Sequence, residues 1–353
     1  MKKYLITLLI AALCIGCKSQ NYFLENPQGY GSATTGGGKA EKVIVSTFPE
    51  LKSNLKSKGS KVILVSGTIT IPPGESLSVV VTDKSLIGLP GAKLVNENQN
   101  PAESGILYLK EGSKNVIIRN LVFVGPGAFD VDGRDNLTAD GVENLWVDHC
   151  EFQDGQDGNF DIKGPSDNIT VSWSKFTYLK PNIPGGPGGA DDHRFSNLVG
   201  SSASDAPQDG HYSITFQNSY WAEGVKGRMP RARNAQLHIV NSYYNSSVPG
   251  ATGIGLGGGK NNSTAYVENS HFEKVAKPYS ASSSDGGTVA INFINSKNAP
   301  KNIGIVAAPT YSYTKIPVEI VQSFITDAGC GAGATLQITK NGEILPGKCL
   351  SKK

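Results

Sequence analysis

The chain has 353 residues, a formal net charge of +3 and 18% charged residues, which excludes a bulk nucleic-acid binder and fits a soluble globular protein. Glycine is abundant at 42 residues and methionine scarce at 2, so many turns and a β-rich architecture are favoured over a helical one.

In chain order, Lys2 and Lys3 precede an apolar run from Leu5 to Ile15, then Gly16 and Cys17. The layout is that of a signal peptide over residues 1–17, with a run too short for a membrane span. Its "LCIGC" ending resembles a bacterial lipoprotein box, with Cys14 where that box usually has leucine. The expectation is export as an outer-membrane or cell-surface lipoprotein carrying lipid on Cys17, the alternative being ordinary cleavage and secretion. Residues 18–42, rich in Gly, Ser and Thr, are predicted to be a flexible arm ahead of a single domain over 43–353. Of the remaining cysteines, Cys330 and Cys349 are close enough to pair in an exported protein, and Cys150 reads as a buried free thiol.

From residue 115 onward one nine-residue frame recurs: NVIIRNLVF (115–123), NLWVDHCEF (144–152), NITVSWSKF (168–176), SITFQNSYW (213–221), QLHIVNSYY (236–244), TAYVENSHF (264–272) and AINFINSKN (290–298). Its second and fourth positions are usually apolar, its ninth usually aromatic, and its sixth is most often asparagine. The starts lie 23 to 45 residues apart, with no long amphipathic helix between them. That pattern predicts a parallel β-helix, a solenoid whose short strands stack coil on coil. Asparagine at the turn tolerates left-handed backbone and bonds its neighbours, so these asparagines are structural. Two short capping helices are expected, at 48–59 and 318–329.

Acidic residues cluster in two stretches. The first carries Asp130, Asp132, Asp135, Asp140 and Asp148; the second carries Asp154, Asp157 and Asp161. Such oxygen-rich groups suit a hard cation, although turn-capping aspartates would look the same. In an extended strand Asp157 and Asp161 would lie roughly 13 Å apart, so a common ion requires a turn at Gly158 and Asn159. The segment GRMPRAR (227–233) places Arg228, Arg231 and Arg233 around Pro230. Both the second acidic stretch and the arginines occupy the connection leading into a repeated frame. Stacking puts equivalent connections on one face, so cation site and arginines should border one groove, suited to a polyanionic chain.

These motifs resemble those of the pectate lyases of polysaccharide lyase family 1. NLWVDHC is similar to the family's V-W-I-D-H strand, DGNFDIKGPSDNITVSW to its acidic segment, RMPRAR to its Arg-x-Pro-x-x-Arg signature and LHIVNSYY to the coil that follows. The resemblance runs from about Asn21 to the C-terminus. It implies a right-handed parallel β-helix and Ca²⁺-dependent β-elimination of polygalacturonate by a monomer. By the resemblance Asp135, Asp157 and Asp161 are calcium ligands, with Asp132 the alternative to Asp135. Arg228 is the base that removes the C5 proton, and Arg233 supports the anionic site. Arg231 is read as solvated. For the residue that binds the substrate carboxylate, Lys180 is preferred and Arg194 is second, because an insertion, PNIPGGPGGADDHR, separates Lys180 from the L-V-G segment at 198–200. The insertion is expected to form a groove-side loop in which Asp191 and Asp192, together with Asp209, add cation or sugar contacts. A pectin lyase, a polygalacturonase and a non-catalytic polysaccharide-binding solenoid are the rival readings.

Overall fold

The structure, a computed structural model, describes residues 25–345. The signal segment with Cys17, and Cys349, lie outside the described residues.

Each repeated frame folds as strand, turn, strand, as in Glu143–Asp148 followed by Glu151–Gln153. Like strands of successive coils pair in parallel and build three sheets of ten, eight and eight strands. The register follows the frame: its second positions, Val116, Leu145, Ile169, Ile214, Leu237, Ala265 and Ile291, are paired in order along the ten-stranded sheet. This is the solenoid that the repeat predicts.

The sixth position of the frame is left-handed in all seven repeats, with φ between 46° and 55° from Asn120 to Asn295. Asparagine adopts that conformation at low cost. Asn241 Nδ2 donates to Asn218 Oδ1 of the preceding coil at 2.9 Å. Where His149 and Trp173 take the position instead, their rings stack at 5.5 Å between centroids, which offsets the steric cost. The ninth position forms a second ladder inside the coil. Phe123, Phe152, Phe176, Trp221, Tyr244 and Phe272 stack in sequence, with centroids 4.3 to 5.7 Å apart. The seventh position is a serine ladder in which each backbone N–H from Ser219 onward meets the next coil's hydroxyl. Cys150 stands in this row. It is free and fully buried, and burial pushes its thiol up to about 12, as an inert structural thiol requires.

Helix α1 (Phe48–Lys56) starts on a capping box between Thr47 and Glu50 and turns Phe48, Leu51 and Leu55 into the core, covering the first coil. It stops earlier than expected, because Ser57 is already extended. Helix α2 (Val318–Ile325) does not close the far end. Its Val321 and Ile325 pack laterally with Trp146, Trp173, Tyr243 and Ile316, in an apolar cluster separate from the interior core.

The described part of the N-terminal arm is hydrogen-bonded to the solenoid. Residues 25–41 lie as a strap across the outer face of the ten-stranded sheet. Thr170 Oγ1 donates to Gln28 O at 2.6 Å, Gly31 N donates to Thr170 Oγ1 at 3.0 Å, and Gly37 N donates to Ser85 Oγ at 3.0 Å. Small residues are needed for this approach: a Cβ on Gly37 would stand 2.2 Å from the Lys61 carbonyl oxygen. Cys330 is disulfide-bonded; its expected partner, Cys349, is not among the described residues.

Candidate active site

Four short strands of one eight-stranded sheet lie side by side: Leu137–Asp140, Phe160–Lys163, Leu198–Val199 and Arg231–Ala232. The connections into them carry Asp135, Asp157, Arg194 and Arg228 in that order, so coil stacking alone brings distant sequence to one edge.

Asp135 and Asp161 are buried, whereas Asp132 is exposed, so of the two alternatives Asp135 is the one enclosed with the other carboxylates. The turn required at Gly158 is present. A Cβ on that residue would stand 2.8 Å from Asp135 Oδ1 and 3.0 Å from Asp161 Oδ1, so both oxygens border one small cradle. Among the described residues each carboxylate has a single protein donor or cation partner. Thr138 Oγ1 donates to Asp135 Oδ2 at 2.7 Å, Leu198 N donates to Asp161 Oδ1 at 2.8 Å, and His193 Nε2 lies 2.9 Å from Asp157 Oδ1. Asp135 Oδ1 is buried without a partner among the described residues. Burial and the Asp157 charge push the Asp135 carboxyl up to about 6, against Thr138, Lys163 and Arg228. Burial and Asp135 raise Asp161 well above the usual carboxylate range. Crowded like charges with an orphaned buried oxygen are what a bound hard cation would relieve. Among the described residues the carboxylates do not already close on a single point; Asp157 is turned toward His193.

Arg228 sits at φ 54°, left-handed backbone for a long side chain. Its guanidinium lies 4.7 Å from the centroid of the Phe195 ring, a cation–π contact. Among the described residues it makes no hydrogen bond or ion pair, yet it is near enough to oppose the rise of both Asp135 and Asp161. Of the neighbouring arginines, 194, 231 and 233 are paired with carboxylates, whereas Arg134 lies 5.5 Å from the centroid of the Tyr108 ring. Arg231 is not simply solvated: its Nη2 lies 2.9 and 3.2 Å from the two oxygens of Asp285. Arg233 Nε lies 2.9 Å from Asp285 Oδ1, and its Nη1 donates to Gly200 O at 2.8 Å. Against the burial that would raise it, these two arginines hold the Asp285 carboxyl below the usual range.

Lys180 and Arg194 separate clearly. Lys180 Nζ donates to Gly125 O at 2.8 Å and lies 3.8 Å from Glu97 Oε1, away from the arginine segment. Arg194 neighbours Phe195, and its carbonyl accepts from Lys226 N at 2.7 Å, beside Gly227 and Arg228. Its guanidinium is held by Asp192 at 2.6 and 2.7 Å. Asp191 is exposed, and so is Asp209, whose Oδ1 accepts from His211 N at 3.1 Å. Two clefts flank the carboxylates and Arg228. One, of about 450 Å³, is bounded by Phe195, Lys226, Arg228, Arg231 and Gly255. The other, of about 630 Å³, is bounded by Tyr108, Arg134, Asp135 and Lys163.

Sequence reasoning missed His193, Phe195, Lys163 and Asp285. Asp285 had no local signal, since it lies more than 50 residues beyond the arginines it pairs with. His193 stands inside the insertion and Phe195 directly follows it, and their place beside Arg194, a candidate for the substrate carboxylate, was the available hint.

A family model described as pectate lyase matches residues 2–334. A pectate trisaccharide-lyase of Thermotoga sp. (strain RQ2) is 34% identical over 235 residues, 62% of this chain and 58% of that protein. A pectate trisaccharide-lyase of Bacillus licheniformis is 29% identical over 331 residues, 88% of this chain and 87% of that protein. The chain thus spans less than two thirds of the length of the Thermotoga relative. Among solved structures, a pectate lyase from Bacillus sp. N165 in complex with trigalacturonate superposes with a TM-score of 0.62 at 23% identity, covering 84% of this chain and 96% of that one. A pectate lyase from Paenibacillus sp. 0602 superposes at 0.65 with 17% identity, covering 90% and 97%. These structures share the fold.

Proposed function

Because the chain belongs to the pectate lyase family, we propose that it cleaves α-1,4-linked polygalacturonate by β-elimination, with Ca²⁺ held by Asp135, Asp157 and Asp161. The donor set is all oxygen, and a buried Asp135 oxygen has no other partner. Bound there, Ca²⁺ would supply neutralisation of the substrate carboxylate next to the scissile position.

The chain's own residues do the rest. Arg228 takes the proton from C5. The C5–H electron pair forms the C4–C5 double bond, and the C4–O bond breaks with its pair leaving on the glycosidic oxygen, which is protonated from solvent. A guanidinium is ordinarily protonated, so a base role needs alkaline conditions and a side chain not locked in an ion pair. The observation that carries the reading is that Arg228, alone among groove arginines 194, 228, 231 and 233, has no carboxylate partner among the described residues. Arg233, fixed by Asp285 and Gly200, lines the anionic side. For the substrate carboxylate, the neighbourhood of Phe195 and Lys226 favours Arg194 over Lys180. The protein acts outside the cytoplasm, exported by its N-terminal segment and either anchored through Cys17 or released.

The test is incubation with polygalacturonate while following ultraviolet absorbance of the 4,5-unsaturated product. Absorbance should rise with Ca²⁺, vanish with excess chelator and grow toward alkaline pH. Arg228→Lys should lower kcat by about 10²- to 10⁴-fold with little change in KM. New reducing ends without the absorbance would mean hydrolysis and overturn the reading.

A further inference from the structure

The Gly/Pro-rich insertion does more than border the groove. Its backbone wraps Asp130: Gly188 N donates to Asp130 O at 2.9 Å, and Ala190 N donates to Asp130 Oδ2. The glycines are required here, because a Cβ on Gly186 would stand 2.3 Å from Asp130 O and one on Gly188 would stand 2.2 Å from Asp130 Oδ1. From this anchored loop His193 reaches inward, its side chain only 7% exposed. Nδ1 lies 2.7 Å from Asp130 Oδ1 and Nε2 lies 2.9 Å from Asp157 Oδ1. Two residues on, the Phe195 ring is 4.5 Å from the imidazole and carries Arg228.

Asp157 needs such support. It shares its corner with Asp135 and Asp161, whose charges repel it, and its side chain is 23% exposed, so burial alone does not fix it. His193 engages Oδ1 and leaves Oδ2 without a partner among the described residues. Ligating carboxylates are commonly held by such outer contacts.

We propose that the 181–194 insertion is a brace in which His193, seated against Asp130, is the positioning residue that fixes the Asp157 carboxylate at the edge of the cation site. The proposal rests on the Ca²⁺ site assigned above. It couples the two features: cation occupancy and docking of the loop on Asp130 strengthen each other.

The test is calorimetric Ca²⁺ titration of the full chain as wild type, H193A and H193Q. It is read beside metal-free melting temperatures and hydrogen exchange at the Gly188 and Ala190 amides with and without Ca²⁺. H193A should weaken Ca²⁺ binding about tenfold or more. H193Q, which keeps a donor facing Asp157, should recover most of that affinity. Ca²⁺ should slow exchange at both amides in the wild type and not in H193A. Unchanged Ca²⁺ affinity in H193A would sink the brace while leaving the cation site standing. Equal loss in both variants with a matching fall in melting temperature would also sink it, by showing a structural role only. A wild type that binds no Ca²⁺ would remove the site itself and the brace with it.

Discussion

Asp135 shows how a single residue ties function to stability. In the unfolded chain its carboxyl has the ordinary value of 3.8; in the fold, burial and Asp157 bring it to about 6. A raised carboxyl binds its proton more tightly in the folded state, so its favourable contribution is complete below about 3.8 and is lost as pH rises through about 6. The metal-free protein should therefore lose melting temperature as pH climbs from about 4 to about 7. Added Ca²⁺ should restore more at pH 8 than at pH 5, and Asp135→Asn should melt higher than wild type at pH 8 without metal and gain nothing from Ca²⁺. A scanning-fluorimetry series over pH checks all three; a flat profile would show that the three carboxylates are not crowded. Asp135, Asp157, Asp161 and Arg228 were candidates in the sequence because each sits in a stretch that resembles a motif of the pectate lyases. Asp285 could not, since only the stacking of coils brings it to Arg231 and Arg233. The same blindness made Arg231 look solvated.

At the scale of elements, the strap over residues 25–41 and helix α2 share one lesson. Both were placed from composition or periodicity, which announce an element without naming what it packs against. A stretch of small residues signals turns and looseness when no partner is in view. Here the same small residues let backbone lie directly on a sheet. Gly37→Ala separates these meanings. With the Lys61 carbonyl oxygen 2.2 Å from the added carbon, the strap must shift, at a cost of about 1–3 kcal/mol. Lower denaturant midpoints and earlier proteolytic nicking between residues 25 and 41 are the expected readouts; a loose arm would show neither. Helix α2 likewise had an amphipathic pattern that announced an apolar partner without saying which. The partner is the outer row of Trp146, Trp173 and Tyr243, in which Trp146 points outward by strand alternation and Trp173 from the left-handed turn.

At the scale of the whole molecule the solenoid was legible because its frame is written seven times and most copies agree at each marked position. The interior aromatic ladder carries the same repetition into energy. Phe152 is fully buried between Phe123 and Phe176, at 4.8 and 5.3 Å, so Phe152→Ala should cost about 3–5 kcal/mol and lower the melting temperature of the entire protein. Loss confined to a few coils, seen as two transitions, would contradict that. An open repeat array may fray from its ends, but this one is fastened. Gln28 binds Gln217 and Thr314 through its side chain, joining both terminal segments to a middle coil. The strap also fixes how the molecule would be presented in its surroundings. The described chain begins on the outer face of the ten-stranded sheet, whereas the groove follows an eight-stranded one. A tether upstream of Glu25 would grip the solenoid from behind and midway along its length, like a handle on a rasp.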